Sequence, residues 1–377
     1  MHRAPRPGAE RGERDGVNRG SGYAPCHHGE ILQGVFRDHA GVPCRGLVTL
    51  PMADLGTYAE FVRQPDRPAE QLTVSPADRS KALRATADTV PLCARLARHP
   101  VCGGQLRLTS HIPVGLGMGS STSDIIAAVR AVAASFGVEL APATIARLAV
   151  RAERASDPLM LENRPLLFAQ REGQVLEVLG ASLPRVIVVG CTTGGGRPVD
   201  TLALPPVEHT DVDTFELLRT ALRRAITAAD PALLGWVSTE SARSNQRLLV
   251  KEELGVLEGV ADAVGAVGVQ VAHSGNVAGV LFDPATRELR RRLRQCVHAL
   301  RGNGITVSRV FRSDRYDRYG SYGKGGERVR AHRGLDQPAG PGARRRRLGV
   351  YPIRDDEGRL GVGRGAAAAR RRGGATR

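Results

Sequence analysis

The chain has 377 residues, 41% apolar, 24% charged and only 4% aromatic. That usage excludes a collagen-like, a disulfide-framework or a wholly disordered chain, and it calls for a mainly aliphatic core spread over about two domains. The formal net charge of +16 suggests a polyanion partner until it is mapped: residues 311–377 carry +11 and residues 1–20 carry +2, which leaves a nearly neutral body.

Residues 1–20, rich in Pro, Gly, Arg and Glu, read as a disordered leader without the apolar run of a signal peptide. From Gly22 to Val62 the pattern predicts short strands and turns, with Thr57–Val62 alternating as a strand. Asp78–His99 predicts an amphipathic helix broken at Pro91. Gln105–Ile112 alternates with period two, placing Leu106, Leu108, Ser110 and Ile112 on one face. A glycine-rich turn follows, then a helix whose Ile125, Ile126, Val129, Val132, Ala133 and Phe136 share a stripe. Pro142–Ala155 predicts a further helix, and Leu166–Gln170 with Val175–Leu179 a hairpin. A second block opens with the buried-strand run Arg185–Val189. It continues with helices over Asp213–Ala229, Pro231–Leu249 and Glu252–Ala266, strands over Gly268–Ala272 and Val277–Phe282, a basic helix over Thr286–Arg301, and a last strand over Ile305–Phe311. No internal repeat is present.

Six cysteines, none in a Cys-x-x-Cys pair or at zinc-ligand spacing, fit reduced thiols in a cytoplasmic protein. The longest apolar stretch, Gly255–Phe282, is interrupted by Glu258, Asp262, His273 and Asn276, so no membrane span is expected. Lysine occurs three times (Lys81, Lys251, Lys324) against 51 arginines, a bias that a GC-rich genome produces as readily as selected arginine chemistry. After Phe311 periodicity ends in Gly, Arg and Ala with runs such as Arg344–Arg347. This tail, 312–377, reads as an inert disordered or out-of-frame extension. The competing reading is a basic arm for nucleic acid, kept open by Tyr316, Tyr319 and Tyr322 but lacking an interleaved aromatic platform.

The most informative segment is Ile112–Asp124, IPVGLGMGSSTSD. Gly115, Gly117 and Gly119 lie between a strand and a helix start, where glycine permits positive φ and close approach of a polyphosphate to the backbone. The helix N-terminus adds free amides and a partial positive charge. Ser120, Ser121, Thr122 and Ser123 offer hydroxyls to cap that helix or to ligate a phosphate-bound Mg²⁺. A Walker A loop is excluded by the missing Gly-Lys-Ser/Thr, and a dinucleotide fingerprint by Ser120 at its sixth position. Spacing alone leaves a plain glycine-rich turn open.

This segment resembles the phosphate loop of the GHMP small-molecule kinases, roughly P-x-G-x-G-L-G-S-S-A, through Pro113, Gly115, Gly117, Gly119, Ser120 and Ser121; Met118, Thr122 and Ser123 depart slightly. Three further anchors follow in family order over Gly22–Phe311. Tyr23–Gly34 is similar to the C-P-x-x-C-G-E-x-x-Q-G type of signature in the branch that contains the L-threonine kinase of cobalamin side-chain synthesis. It matches at Pro25, Gly29, Glu30, Gln33 and Gly34 and departs at Cys26, His27 and His28. Ala152–Pro158 resembles a Glu-x-x-Ser-Asp segment, and Gln270–Gly279 a glycine loop of the same branch.

The resemblance implies an α+β fold of two domains: residues 21–184 similar to the second domain of ribosomal protein S5, residues 185–311 ferredoxin-like, with ATP between them. It implies an ATP- and Mg²⁺-dependent kinase of a small hydroxylated amino acid, L-threonine first. Homoserine, a sugar or a secondary-metabolite intermediate are the alternative acceptors, and a folded but inactive paralogue is the remaining one. Pro113, Gly115, Gly117, Gly119, Ser120 and Ser121 would hold the triphosphate, and Ser121 and Glu153 the metal. Asp157 would accept or orient the acceptor hydroxyl. Glu30 and Gln33 would lie near the acceptor or the nucleotide, or form a plain polar turn, and His273, Ser274 and Gly275 would brace the phosphate loop or meet the acceptor. Thr192–Gly196 would line the acceptor pocket or form a plain turn. Without the resemblance, Glu153 reads as a solvated helix carboxylate and Asp157 as an Asp-Pro turn starter. Cys26, His27 and His28 suggest a metal only weakly, because adjacent histidines point apart. His273 and Ser274 lack the elbow of a hydrolase.

Overall fold

The computed structural model describes residues 18–161, 164–194, 212–272 and 275–314. The expectations for residues 1–17, for His273 and Ser274, for Gly195 and Gly196 and for the tail from 315 onward lie outside the described residues.

Where short strands and turns were expected, two long strands run: β1 (Arg19–Arg37) and β2 (Pro43–Gln64), antiparallel neighbours. Period-two alternation is obscured in β1 because its residues from Cys26 to Phe36 are buried without a break. β1 also leaves register three times, between Pro25 and Cys26, between His27 and Glu30, and between Glu30 and Leu32. Such bulges re-aim side chains, and all three fall within Tyr23–Gly34.

The remaining strands are β3 (Leu72–Ser75), β4 (Gly103–Ser110), β5 (Leu166–Ala169), β6 (Gln174–Val178), β7 (Ile187–Thr192), β8 (Gly268–Val271), β9 (Val277–Phe282) and β10 (Thr306–Arg312). The sheet order is β10-β7-β9-β8-β1-β2-β4-β3, with the β5–β6 hairpin branching from β2. Only β3 and β4 pair in parallel. β3, with four residues, gave no signal of its own in the sequence. The sheet crosses position 184 without a break. β1 joins β8 through a single residue pair, Glu30 and Val271, so the bulged motif is also the seam between the two halves of the sheet.

Seven helices accompany the sheet among the described residues: α1 (Ser80–Ala97), α2 (Ser120–Ser135), α3 (Pro142–Glu153), α4 (Val212–Ala228), α5 (Pro231–Asn245), α6 (Leu254–Val264) and α7 (Leu289–Gly302). The expected break at Pro91 does not occur: α1 runs through it. Pro91 lies on the exposed face, while Val90, Cys93 and Ala94 are buried in the core that also holds α2. Ala87, whose carbonyl loses its helical donor to the proline ring, lies on the exposed side of α1.

α2 is buried almost all round, through Ile125, Ile126, Ala127, Ala128, Val129, Ala131 and Val132, as expected of a central helix. At roughly 25 cal/mol per Å² such burial fixes the helix axis firmly, and with it the position of its first turn. α5 starts where Asp230 accepts from the amides of Ala232 at 2.9 Å and Leu233 at 3.1 Å, with Pro231 as its first residue. All six cysteines are buried and unbonded. No helix of the described residues is long and apolar enough to cross a membrane.

Candidate active site

The loop from Ile112 to Gly119 ends at the N-terminus of α2. Gly115, Gly117 and Gly119 have φ values of +81°, +77° and +71°, so all three need the left-handed region that glycine alone enters at little cost. At Gly117 the requirement is also steric. A Cβ there would lie 2.5 Å from the Cα of Gly275, a backbone atom that no rotamer change can move. The glycine turn before β9 is thereby packed onto the loop, and the amides of Asn276 and Val277 both donate to the Leu116 carbonyl, at 2.9 and 3.1 Å. At Gly119 a Cβ would meet the His27 ring at 2.7 Å, and the His27 amide donates to the Met118 carbonyl at 3.3 Å.

The serine-rich start of α2 does not cap itself, contrary to the expectation. Gly119 is the N-cap residue and no side chain satisfies the first amides. The hydroxyls go elsewhere. Ser120 opens the helix. The Ser121 hydroxyl lies beside the Glu153 carboxylate. Thr122 Oγ1 lies 2.6 Å from Glu153 Oε1 and 3.2 Å from Asp157 Oδ2. Ser123 donates to the Pro25 carbonyl in β1. The first-turn amides thus remain for an anion, and the glycine loop lets one approach: the backbone suits a polyphosphate.

Ser121 and Glu153 bring a hydroxyl and a carboxylate together, the hard oxygen donors that Mg²⁺ takes. Glu153 is no solvated helix carboxylate: it is buried, with Lys81 Nζ 3.7 Å away. Burial pushes it up to about 7 against the Thr122 hydrogen bond, with the Asp157 charge adding to the rise. Such a carboxylate gains by taking a cation.

Asp157 follows α3 and is half-buried. Its Oδ2 lies 3.2 Å from His27 Nε2, in a side chain only 2% exposed. The other ring nitrogen, Nδ1, donates to the Gly29 carbonyl at 3.2 Å. A carbonyl only accepts, so Nδ1 carries a proton and Nε2 faces the carboxylate. Burial works against the imidazolium, but the Asp157 charge 3.2 Å away, with Glu30 behind it, carries His27 up to about 9. Asp157 is driven the other way: burial opposes its charge, and the His27 charge, helped by the Thr122 hydroxyl, outweighs burial to hold it below the ordinary carboxylate range. Around neutral pH this is an ion pair.

Glu30, buried in the β1 bulge, completes the cluster: ligand-type atoms of His27, Glu30 and Asp157 all lie within 4.8 Å of one another. An imidazole must lose its proton to bind metal, and two carboxylates favour keeping it. The expectation that the adjacent histidines diverge agrees with the geometry. His28 turns to Gln270, with Nδ1 3.0 Å from Oε1, and packs on Phe311 at 5.1 Å. Burial lowers it to about 4, so it is neutral. Cys26 faces the Met52 carbonyl, and the three side chains form no common site.

The sequence-predicted residues therefore divide. Gly117, Gly119, Ser121, Glu153, Asp157, Glu30 and Gly275 converge. Pro113 and Gly115 are exposed on the approach to the loop. A cleft of about 310 Å³ lies beside it, lined by Leu55, His111, Pro113, Leu116, Met118 and Arg309 among others. Gln33 is buried, and its backbone is anchored to α5: its main-chain N–H donates to Ser241 Oγ at 3.0 Å and its main-chain carbonyl accepts from Asn245 Nδ2 at 2.7 Å. Thr192 and Thr193 line a second opening of about 470 Å³ with Leu116 and Glu253. His27 and Thr122 were missed. His27 was masked by its neighbour His28 and by the metal reading, although its place three residues before Glu30 in the motif was a usable signal. For Thr122 the sequence offers a capping or metal-facing hydroxyl and a slight departure from the small-residue run, but not its contact with Glu153 and Asp157.

The ion pair carries a pH signature. His27 moves from 6.5 in an unfolded chain to about 9, so its stabilisation is complete below about 6.5 and is lost as pH rises through about 9. Wild type is expected to lose roughly 2–3 kcal/mol at most by this route between pH 7 and 10. His27→Gln should lack that component, as read by denaturant titration at several pH values. Equal alkaline losses in both proteins would contradict the pair.

A model of the GHMP kinases N-terminal domain matches residues 81–159, from the first turn of α1 to just past Asp157. An L-threonine kinase from Citrobacter freundii is 28% identical over 182 residues, 48% of this chain and 62% of that protein. The match thus spans about three fifths of that relative's length. A 4-diphosphocytidyl-2-C-methyl-D-erythritol kinase from Methylorubrum extorquens is 31% identical over 232 residues, 59% of this chain and 68% of that protein. Among solved structures, a Streptococcus pneumoniae phosphomevalonate kinase aligns with a TM-score of 0.59 at 11% identity, covering 78% of this chain and 98% of its own. A homoserine kinase from Cytophaga hutchinsonii aligns at 0.54 and 15% identity, covering 81% and 96%. These structures share the mixed helix and sheet fold. Together with the glycine loop that the family model covers, the 31% identity over two thirds of a relative establishes that this chain belongs to the GHMP kinases.

Proposed function

We propose that the protein is an ATP-dependent phosphotransferase that phosphorylates the hydroxyl of a small amino acid, with L-threonine as the leading acceptor. One observation carries the reading: a glycine loop with uncapped helix amides ends one turn from the Thr122 hydroxyl that meets Glu153 and Asp157. Gly115–Ser121 hold the triphosphate, and Ser121 with Glu153 hold Mg²⁺. ATP supplies the phosphoryl group, and the metal neutralises charge on its oxygens. Asp157, kept ionised by His27, aligns the acceptor hydroxyl and takes its proton as transfer proceeds. A carboxylate below its ordinary range is a weak base, so orientation is the larger part of that role. Glu30 and Gly275 stand on the acceptor side; Gln33 acts through the packing of β1 on α5.

The finer architecture belongs with this reading: an N-terminal ATP-binding domain to residue 184 and a ferredoxin-like domain to residue 311. The threonine assignment leans on the Tyr23–Gly34 motif and on the threonine kinase relative. A cytoplasmic setting and a place in cobalamin side-chain synthesis go with it. The deciding experiment is a coupled ADP-release screen of the full chain over threonine, serine, homoserine, sugars and methylerythritol derivatives. Acceptor-dependent ADP release is expected with threonine above the rest. Release with a sugar or polyol alone reassigns the acceptor, and no release with any acceptor defeats the kinase reading.

A further inference from the structure

The chain meets almost every need for a positive charge with arginine, at 51 residues against three lysines. Lys324 lies outside the described residues. The other two both reach the site: Lys81 stands 3.7 Å from Glu153, and Lys251 Nζ donates to the Gly275 carbonyl.

Lys251 sits between α5 and α6 and is 5% exposed. Its backbone is clamped by one side chain: Gln246 Nε2 donates to the Lys251 carbonyl at 2.9 Å, and Gln246 Oε1 accepts the Lys251 amide at 2.7 Å. The carbonyl that its ammonium holds belongs to the residue whose Cα packs directly on Gly117. The following two amides hold the Leu116 carbonyl. A continuous path thus runs from Gln246 through Lys251 and Gly275 to the middle of the phosphate loop. Burial disfavours the ammonium and outweighs the charges of Glu30 and Glu253, so Lys251 lies below the ordinary lysine range. A compact ammonium can point at one carbonyl in this space, where a planar five-donor fork cannot.

We propose that Lys251 is a positioning residue: through the Gly275 carbonyl it holds the glycine turn against Gly117 and so sets the shape of the phosphate loop. This rests on the nucleotide-binding reading above. A buried ammonium is costly to keep, so an apolar side chain of similar length recovers its desolvation cost, set against the loss of one bond to the Gly275 carbonyl. Function and stability should therefore part.

The test is Lys251→Met in the full chain, with ATP·Mg²⁺ affinity by calorimetry, steady-state kinetics and thermal melting. ATP affinity is expected to fall about tenfold or more, with KM for ATP rising while kcat at saturating ATP changes less than about twofold. The melting temperature should stay level or rise, and Lys251→Arg should not restore affinity. Unchanged affinity, or a loss that accompanies a collapse in melting temperature, overturns the inference. Wild type that binds no ATP defeats the nucleotide reading and this one together. Wild type that binds, beside a variant that binds equally well, defeats this one alone.

Discussion

Asp157→Asn is expected to lower kcat by about 10²- to 10⁴-fold while ATP affinity stays within about threefold. The amide matches the carboxylate in size and still accepts from Thr122, so the local packing survives. It has no charge and no basic oxygen. The acceptor hydroxyl then loses the group that orients it, and His27 loses the partner that holds its second proton. With the carboxylate gone, burial dominates, and His27 falls from about 9 towards its neutral form. In the proposed reading the triphosphate meets backbone amides and the first turn of α2, not Asp157. The decisive comparison is therefore calorimetric ATP affinity beside single-turnover rates. Loss of nucleotide binding with an unchanged rate per bound complex would place Asp157 in the nucleotide site and remove it from transfer.

Gly117→Val should abolish measurable ATP binding, with an affinity loss of at least about 100-fold, and should also lower the melting temperature. Two costs combine. The φ of +77° is strained for any β-branched residue by roughly 1–3 kcal/mol. The new Cβ also falls 2.5 Å from Gly275 Cα and 2.8 Å from its nitrogen, so the loop and the glycine turn must separate. Gly115 separates these effects. Its φ is similar, but nothing stands within 4 Å of its Cβ position, so Gly115→Ala carries only the conformational cost. A large affinity loss in that milder variant would mark direct approach of phosphate to residue 115. Normal ATP affinity in Gly117→Val would contradict the loop as a phosphate cradle.

The parts of the fold that the sequence disclosed are those whose local pattern agrees with their burial. β4 alternates because only one of its faces is covered, and the hairpin of β5 and β6 closes near Gly173 at φ +68°. β1 and β2 were read as fragments because a strand buried on both faces has no period, and because three bulges interrupt its register. α1 was cut at Pro91 because a proline inside a helix is ordinarily unfavourable; its exposed position is a tertiary fact.

The site divides in the same way. The glycine loop is contiguous in the chain, so it was legible. The ion pair of His27 with Asp157 spans 130 positions and exists only because β1 runs beside the first turn of α2. Thr122 shows the same limit: its hydroxyl was readable, but the two carboxylates that it meets come from the end of α3 and the turn beyond it.

The central claim is that backbone amides between Gly115 and Ser121 bind the nucleotide triphosphate. Its most direct test is a crystal structure of the full chain with a non-hydrolysable ATP analogue and Mg²⁺. The account predicts phosphate density over the glycine loop and the α2 N-terminus, with the metal beside Ser121 and Glu153. Density for the triphosphate anywhere else, with the loop amides facing solvent, would contradict it.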